Sequence, residues 1–132
     1  MSYIDAYIRG WRQSLPVESH GGLVERRVFS KVDPSNPSKP GAVMQHVKSF
    51  SRAILEGHVT TAPVLHEAEQ EVLYVADGEG RIESDGVVGK LSEGWAVLVP
   101  PRLSHVIVNE TPNPLELLII TEDVPPEALV KV

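Results

Sequence analysis

Two of the five histidines in this 132-residue chain stand where a sequence can use them for chemistry. His66 lies just ahead of Glu71, which opens the strand-like run Glu71 to Ala76, and His105 opens a second run that ends at Asn109. Alternation along a strand puts Glu71, Leu73 and Val75 on one face, and His105, Ile107 and Asn109 on one face of the other run. With both faces turned inward, two imidazoles and a carboxylate converge. Such a donor set leaves positions open on a five- or six-coordinate divalent ion and suits iron, manganese, nickel or zinc. The chain contains no cysteine, so disulfides, thiolate metal sites and thiol nucleophiles are excluded, and any metal must be held by nitrogen and oxygen.

Other polar residues near these two runs carry weaker signals. Gln70 sits beside Glu71 and His58 lies upstream, each a candidate for an outer contact to the site. Glu67 and Glu69 alternate in phase with Glu71 and read as a polar rim. Tyr74 falls on the opposite face of its strand. His46 has no motif to place it, and His20, followed by Gly21-Gly22, reads as a surface loop residue.

The elements that must position these residues are short strands separated by turn signals: Leu23 to Val32, Val43 to Leu55, Glu71 to Ala76, Gly80 to Ser84, Val87 to Leu91, Ala96 to Val99, His105 to Asn109 and Leu115 to Thr121. That spacing predicts a sandwich or barrel. Asp85-Gly86 is the pair a two-residue type I′ hairpin wants, because both central positions need positive φ. The segment Asp33 to Gly41, rich in proline and serine, is a surface loop. Tyr3, Ile4, Tyr7, Ile8 and Trp11 recur at helical spacing after the cap residues Ser2 and Asp5, so a short N-terminal helix is expected over Ser2 to Trp11. The chain reads as one domain over 1–132, with an N-terminal helix and arm at 1–20 and a barrel core at 43–121.

Taken together, these residues resemble a known family. Gly94, Pro100, His105 and Asn109 match the second cupin motif, G-x5-P-x-G-x2-H-x3-N, which departs only at Arg102, where the pattern has glycine. His66, Glu71 and Gly78 match the first motif, G-x5-H-x-H-x(3 or 4)-E-x6-G. Val64 stands where that motif has its first histidine, and Gly57 lies one residue early for its opening glycine. The resemblance implies an all-β double-stranded β-helix, the cupin or jelly-roll barrel, with His66, Glu71 and His105 as metal ligands. Arg102 stands where the pattern has glycine at a turn near the barrel mouth, and two readings are open for it: a guanidinium that binds a substrate carboxylate bidentately, or a solvent-facing arginine in a tolerated turn.

A net charge of −6 with scattered basic residues argues against nucleic acid as a partner. No apolar run approaches membrane-spanning length, and the N-terminus lacks a secretory pattern, so a cytoplasmic protein with no membrane partner is expected. Sheet edges in a barrel of this size favour a homodimer. The leading functional expectation is a small metal-dependent enzyme, dioxygenase-like or isomerase-like, acting on a small molecule in the barrel. The alternative is a binding or sensing module that holds a small molecule without turnover.

Overall fold

A computed structural model describes residues 7–128. Ten strands succeed one another: β1 (Val17–Ser19), β2 (Leu23–Lys31), β3 (Ala42–Met44), β4 (Val47–Leu55), β5 (Glu69–Asp77), β6 (Glu79–Ser84), β7 (Val87–Ser92), β8 (Ala96–Val99), β9 (Val106–Val108) and β10 (Leu115–Asp123). Seven form one sheet in the order β1-β2-β4-β10-β5-β8, with β3 added in parallel to β2, and β7-β6-β9 form the second. The expected all-β jelly-roll architecture is therefore present. Its core draws on both sheets, with Leu73, Val75, Leu117 and Ile119 from one packed with Leu91 and Ile107 from the other.

Strand alternation works as a sorting device here. In β4, β5 and β10 every second residue is buried, and the inward residues change character along the strand. Leu117 lies opposite Ala53 and Val75, Ile119 opposite Ser51 and Leu73, and Thr121 opposite Ser49 and Glu71. One end of the barrel is thus filled with aliphatic side chains, each worth roughly 1.5–3 kcal/mol in burial. The other end is lined with hydroxyls and a carboxylate. Glu25, buried on β2, belongs to this polar end and accepts a hydrogen bond from Ser51 at 2.7 Å.

Turn chemistry sets the ends of the strands. Asp85 and Gly86 both have positive φ and link the paired Ser84 and Val87, as the type I′ expectation requires. Gly78 has φ +91°, and a Cβ there would meet the Pro114 carbonyl at 2.6 Å, so only glycine fits the β5–β6 corner.

Two sequence expectations change. The run Val43 to Leu55 is not one strand, since β3 and β4 are separate and β3 pairs with β2. Half of the expected helix over Ser2 to Trp11, residues 2–6, lies outside the described residues; of the rest, Tyr7 alone is α-helical, and Ile8 to Gly10 are irregular. Next in the chain is a single 3-10 turn at Trp11–Gln13 after Gly10, whose N–H bonds the Gln13 side chain at 2.7 Å.

Asn109 locks the far end of the barrel. Its buried amide group faces the carbonyls of Leu55, Glu56 and Asn113 at 3.1, 3.2 and 2.8 Å, and its carbonyl accepts from the N–H and hydroxyl of Thr111. Replacing it strands several buried backbone carbonyls. Asn109→Ala should cost about 3 kcal/mol, read as a fall in Tm of roughly 10 °C for a domain of this size, with the far-ultraviolet dichroism of the folded state retained. A variant as stable as the parent would show that the loop carries itself without this amide.

Candidate metal centre

Four side chains from four separate stretches of chain meet at the polar end of the barrel: His20, His66, Glu71 and His105. One ligand atom from each lies within 4.8 Å of all the others. Glu71 and His105 are almost wholly buried and His20 nearly so, while His66 is partly open.

Each is positioned by local structure. Glu71 points inward by strand parity on β5. His105 forms an isolated antiparallel bridge with Val64, the two backbones exchanging hydrogen bonds at 3.0 Å in both directions. His66 is held through its carbonyl, which accepts from the Arg102 N–H at 2.7 Å. His20 comes from the β1–β2 hairpin, where His20 and Gly21 take successive positive φ values of 57° and 61°. A non-glycine residue in that region is strained. The strain is held because Ala62 N–H bonds the His20 carbonyl at 2.9 Å and Gly21 packs so closely that an added Cβ would come within 2.5 Å of Ala62.

The sequence reading of His20 as a surface loop residue is therefore overturned. Its Nε2 lies 2.9 Å from Glu71 Oε1, and it sits at ring-centroid distances of 5.6 and 5.9 Å from His66 and His105. The signal in the sequence was the histidine ahead of two glycines, a turn able to aim an imidazole. Nothing in the sequence said which way the turn faces.

The remaining candidates separate cleanly. Val64, directly opposite His105 in the bridge, stands where the motif has a histidine, and the third imidazole of the cluster comes from His20 instead. Arg102 adopts φ 65°, the left-handed conformation its motif glycine would take, but its side chain is largely exposed, with Nε 3.9 Å from Glu67. Gln70 lies beside Glu71 on the strand and so on the opposite face. Glu69 lines the rim with Lys48, to which it is ion-paired. His46 and His58 are exposed.

The donor chemistry fits a cation. Glu71 Oε1 is approached by His20 Nε2 at 2.9 Å and His66 Nε2 at 3.2 Å, while Oε2 accepts from the Thr121 hydroxyl at 3.1 Å. His105 Nδ1 donates to the Leu103 carbonyl at 3.1 Å, which leaves Nε2 as the lone-pair nitrogen. That Nε2 is the one buried side-chain polar atom without a hydrogen-bond partner among the described residues. A buried nitrogen left bare costs free energy unless something completes it.

Electrostatics point the same way. Burial pushes the Glu71 carboxyl up, but hydrogen bonds from His20 and His66 outweigh it and hold the group well below the usual carboxylate range. The bond to Glu71 raises His66 above the ordinary imidazole value. Burial lowers His105, keeping it neutral and able to donate its lone pair.

A family model described as Cupin domain matches residues 52–121, more than half of the chain. No curated protein matches the chain. Among solved structures, a predicted oxalate decarboxylase from Thermotoga maritima superposes with a TM-score of 0.70 at 21% identity, covering 89% of this chain and 99% of that one. KdgF from Halomonas sp. gives 0.65 at 16% identity over 92% and 97% of the two chains. The cupin domain of Schizosaccharomyces pombe Cnp3 gives 0.66 at 7% identity over 86% and 72%. At these identities the likeness is one of fold. No helix among the described residues is long and apolar enough to cross a membrane.

The charge pairing in the metal-free cluster has a defined pH window. Glu71, depressed from 4.5, contributes stability that is present above that value and lost as pH falls through its folded value. His66, raised from 6.5, contributes stability that is present below that value and lost as pH rises through its folded value. Metal-free protein should therefore exceed a Glu71→Gln variant in Tm by most between pH 4.5 and 6.5, with the gap narrowing toward pH 8. A gap that is flat across this range would show that the pair is not charged as described.

Proposed function

This chain belongs to the cupin domain family, and from that premise we propose that it is a metal-binding cupin, a small metal-dependent enzyme acting on a small molecule in the barrel pocket. The observation that supports this reading most is the unpartnered, buried Nε2 of His105 facing three other donors. His20, His66 and His105 would supply nitrogens and Glu71 an oxygen to iron, manganese, nickel or zinc. Such an ion supplies Lewis acidity to a substrate oxygen at the positions its protein ligands leave open.

The chain's own residues do the rest. Ser19 Oγ lies 2.9 Å from His20 Nδ1 and Leu103 O 3.1 Å from His105 Nδ1, so each imidazole is held with Nε2 turned to the site. Thr121 occupies Glu71 Oε2 and leaves Oε1 for the cluster. Beneath the site, Leu73, Ile107 and Ile119 are fully buried and close the barrel on its aliphatic side against water. A small polar cavity of about 110 Å³ adjoins the cluster at the polar end, lined by His20, His66, Glu71, Thr121 and Glu25. A cavity of this size takes a small substrate rather than a polymer segment. We also read the protein as a homodimer, because the outer face of the seven-stranded sheet exposes Tyr74 and Leu98 beside the edge strand β8.

Metal content by mass spectrometry tests the assignment. His20→Ala and His105→Ala should each lower bound metal at least tenfold after dialysis while leaving the fold intact, since these ligands contribute more to the ion than to the core. Full metal retention in the His20→Ala variant would remove the hairpin from the site. Retention in both would remove the site itself.

A further inference from the structure

The basic residues of this acidic chain are not evenly placed around the metal cluster. A groove of about 270 Å³ runs along β2, the loop after it and the start of β4, and is lined by Arg27, Lys31, Lys39, Lys48, Ser49 and Asp33 among others. Four of the chain's 12 lysines and arginines thus line one groove, against a single carboxylate. That carboxylate is turned into its own loop, since Asp33 Oδ1 accepts from the N–H and hydroxyl of Ser35 at 3.0 and 2.6 Å.

The groove borders the cavity at the cluster. Arg27, Lys48 and Ser49 line both. Carboxylates at the edges pair with three of the cations: Lys31 lies 3.8 Å from Asp123 and Arg27 3.6 Å from Glu25, while Lys48 pairs with Glu69. Arg27, Lys31 and Lys48 keep about half of their side-chain surface in water, at 53, 47 and 49%. Their exposed faces can therefore meet a ligand beside these pairs, with Arg27 still held at the buried Glu25.

We propose that the groove is the second half of the binding site, and that the ligand is a small acid with two anionic groups. One group sits at the His20, His66, Glu71 and His105 cluster, and the other lies between Arg27 and Lys48 with Lys39 and Lys31 beyond. This inference rests on the metal-binding reading for its first half only. The guanidinium of Arg27 suits a carboxylate or a phosphate equally, because both accept paired hydrogen bonds from it.

Calorimetric titration separates the possibilities. The probes are malonate, succinate and glutarate set against acetate, propionate and butyrate, with 3-phosphonopropionate as the phosphate-type arm, each on metal-loaded and metal-free full chain at low and high salt. At least one dianion should bind ten times more tightly than any of the monocarboxylates, and the advantage should shrink in high salt as exposed charges are screened. Arg27→Gln combined with Lys48→Gln should abolish the advantage while metal content stays unchanged, and Lys39→Gln alone should reduce it. A tighter 3-phosphonopropionate than any dicarboxylate assigns the groove to phosphate, and the reverse assigns it to carboxylate. Equal binding of mono- and dianions, or an advantage that survives the double substitution, overturns the inference while leaving the metal reading standing. A dianion preference that persists in protein unable to retain metal supports the groove and overturns the metal reading instead.

Discussion

The structure turns on a buried negative charge. Glu71 is almost wholly removed from water at the polar end of a barrel whose other half is aliphatic. An ionised carboxylate in that position is tolerable only when its oxygens are occupied. Two imidazoles and a threonine hydroxyl occupy them here, which fixes where the β1–β2 hairpin, the segment before β5 and the end of β10 must lie. His20 meets that demand from a backbone with positive φ. The hairpin that carries it is held at Ala62 by a backbone bond and a close Gly21 contact, and its imidazole reaches the carboxylate at 2.9 Å.

Sheet register carries that demand through the barrel. Because side chains alternate with a period of two, each inward residue is matched with inward residues on its neighbours, and polar and apolar layers line up across strands. Thr121, Ser49 and Glu71 form one such layer and Leu117, Ala53 and Val75 another. A slip of one residue would put Glu71 outside and Val72 within. The corner at Gly78 and the amide of Asn109 oppose that slip by fixing the loops at the apolar end.

The acidic net charge and the basic groove are compatible because they act at different ranges. Net charge sets a diffuse field that salt screens within about 8–10 Å. Arg27 and Lys48, at the mouth of the cavity, act on whatever enters it at contact distance. A protein that repels polyanions at long range can still bind a small acid where its cations are gathered.

Much of this was legible in the sequence. The strand rhythm and the Asp85-Gly86 turn declared a sandwich or barrel, because period-two alternation and positive-φ turns are local properties of a chain, and the resemblance carried by His66, Glu71, Gly78, His105 and Asn109 implied the barrel. Parity put Glu71 with Leu73 and Val75, and His105 with Ile107 and Asn109, on shared faces, and the motif resemblance implied that those faces turn inward. The place of His20 was not legible in this way, since its role depends on contact with a residue far along the chain and on the hand of one hairpin. Nor was the gathering of four cations from β2, β4 and the loop between them. Local periodicity tells a residue which face it lies on; only the closure of the sheets decides which distant residues share that face's interior.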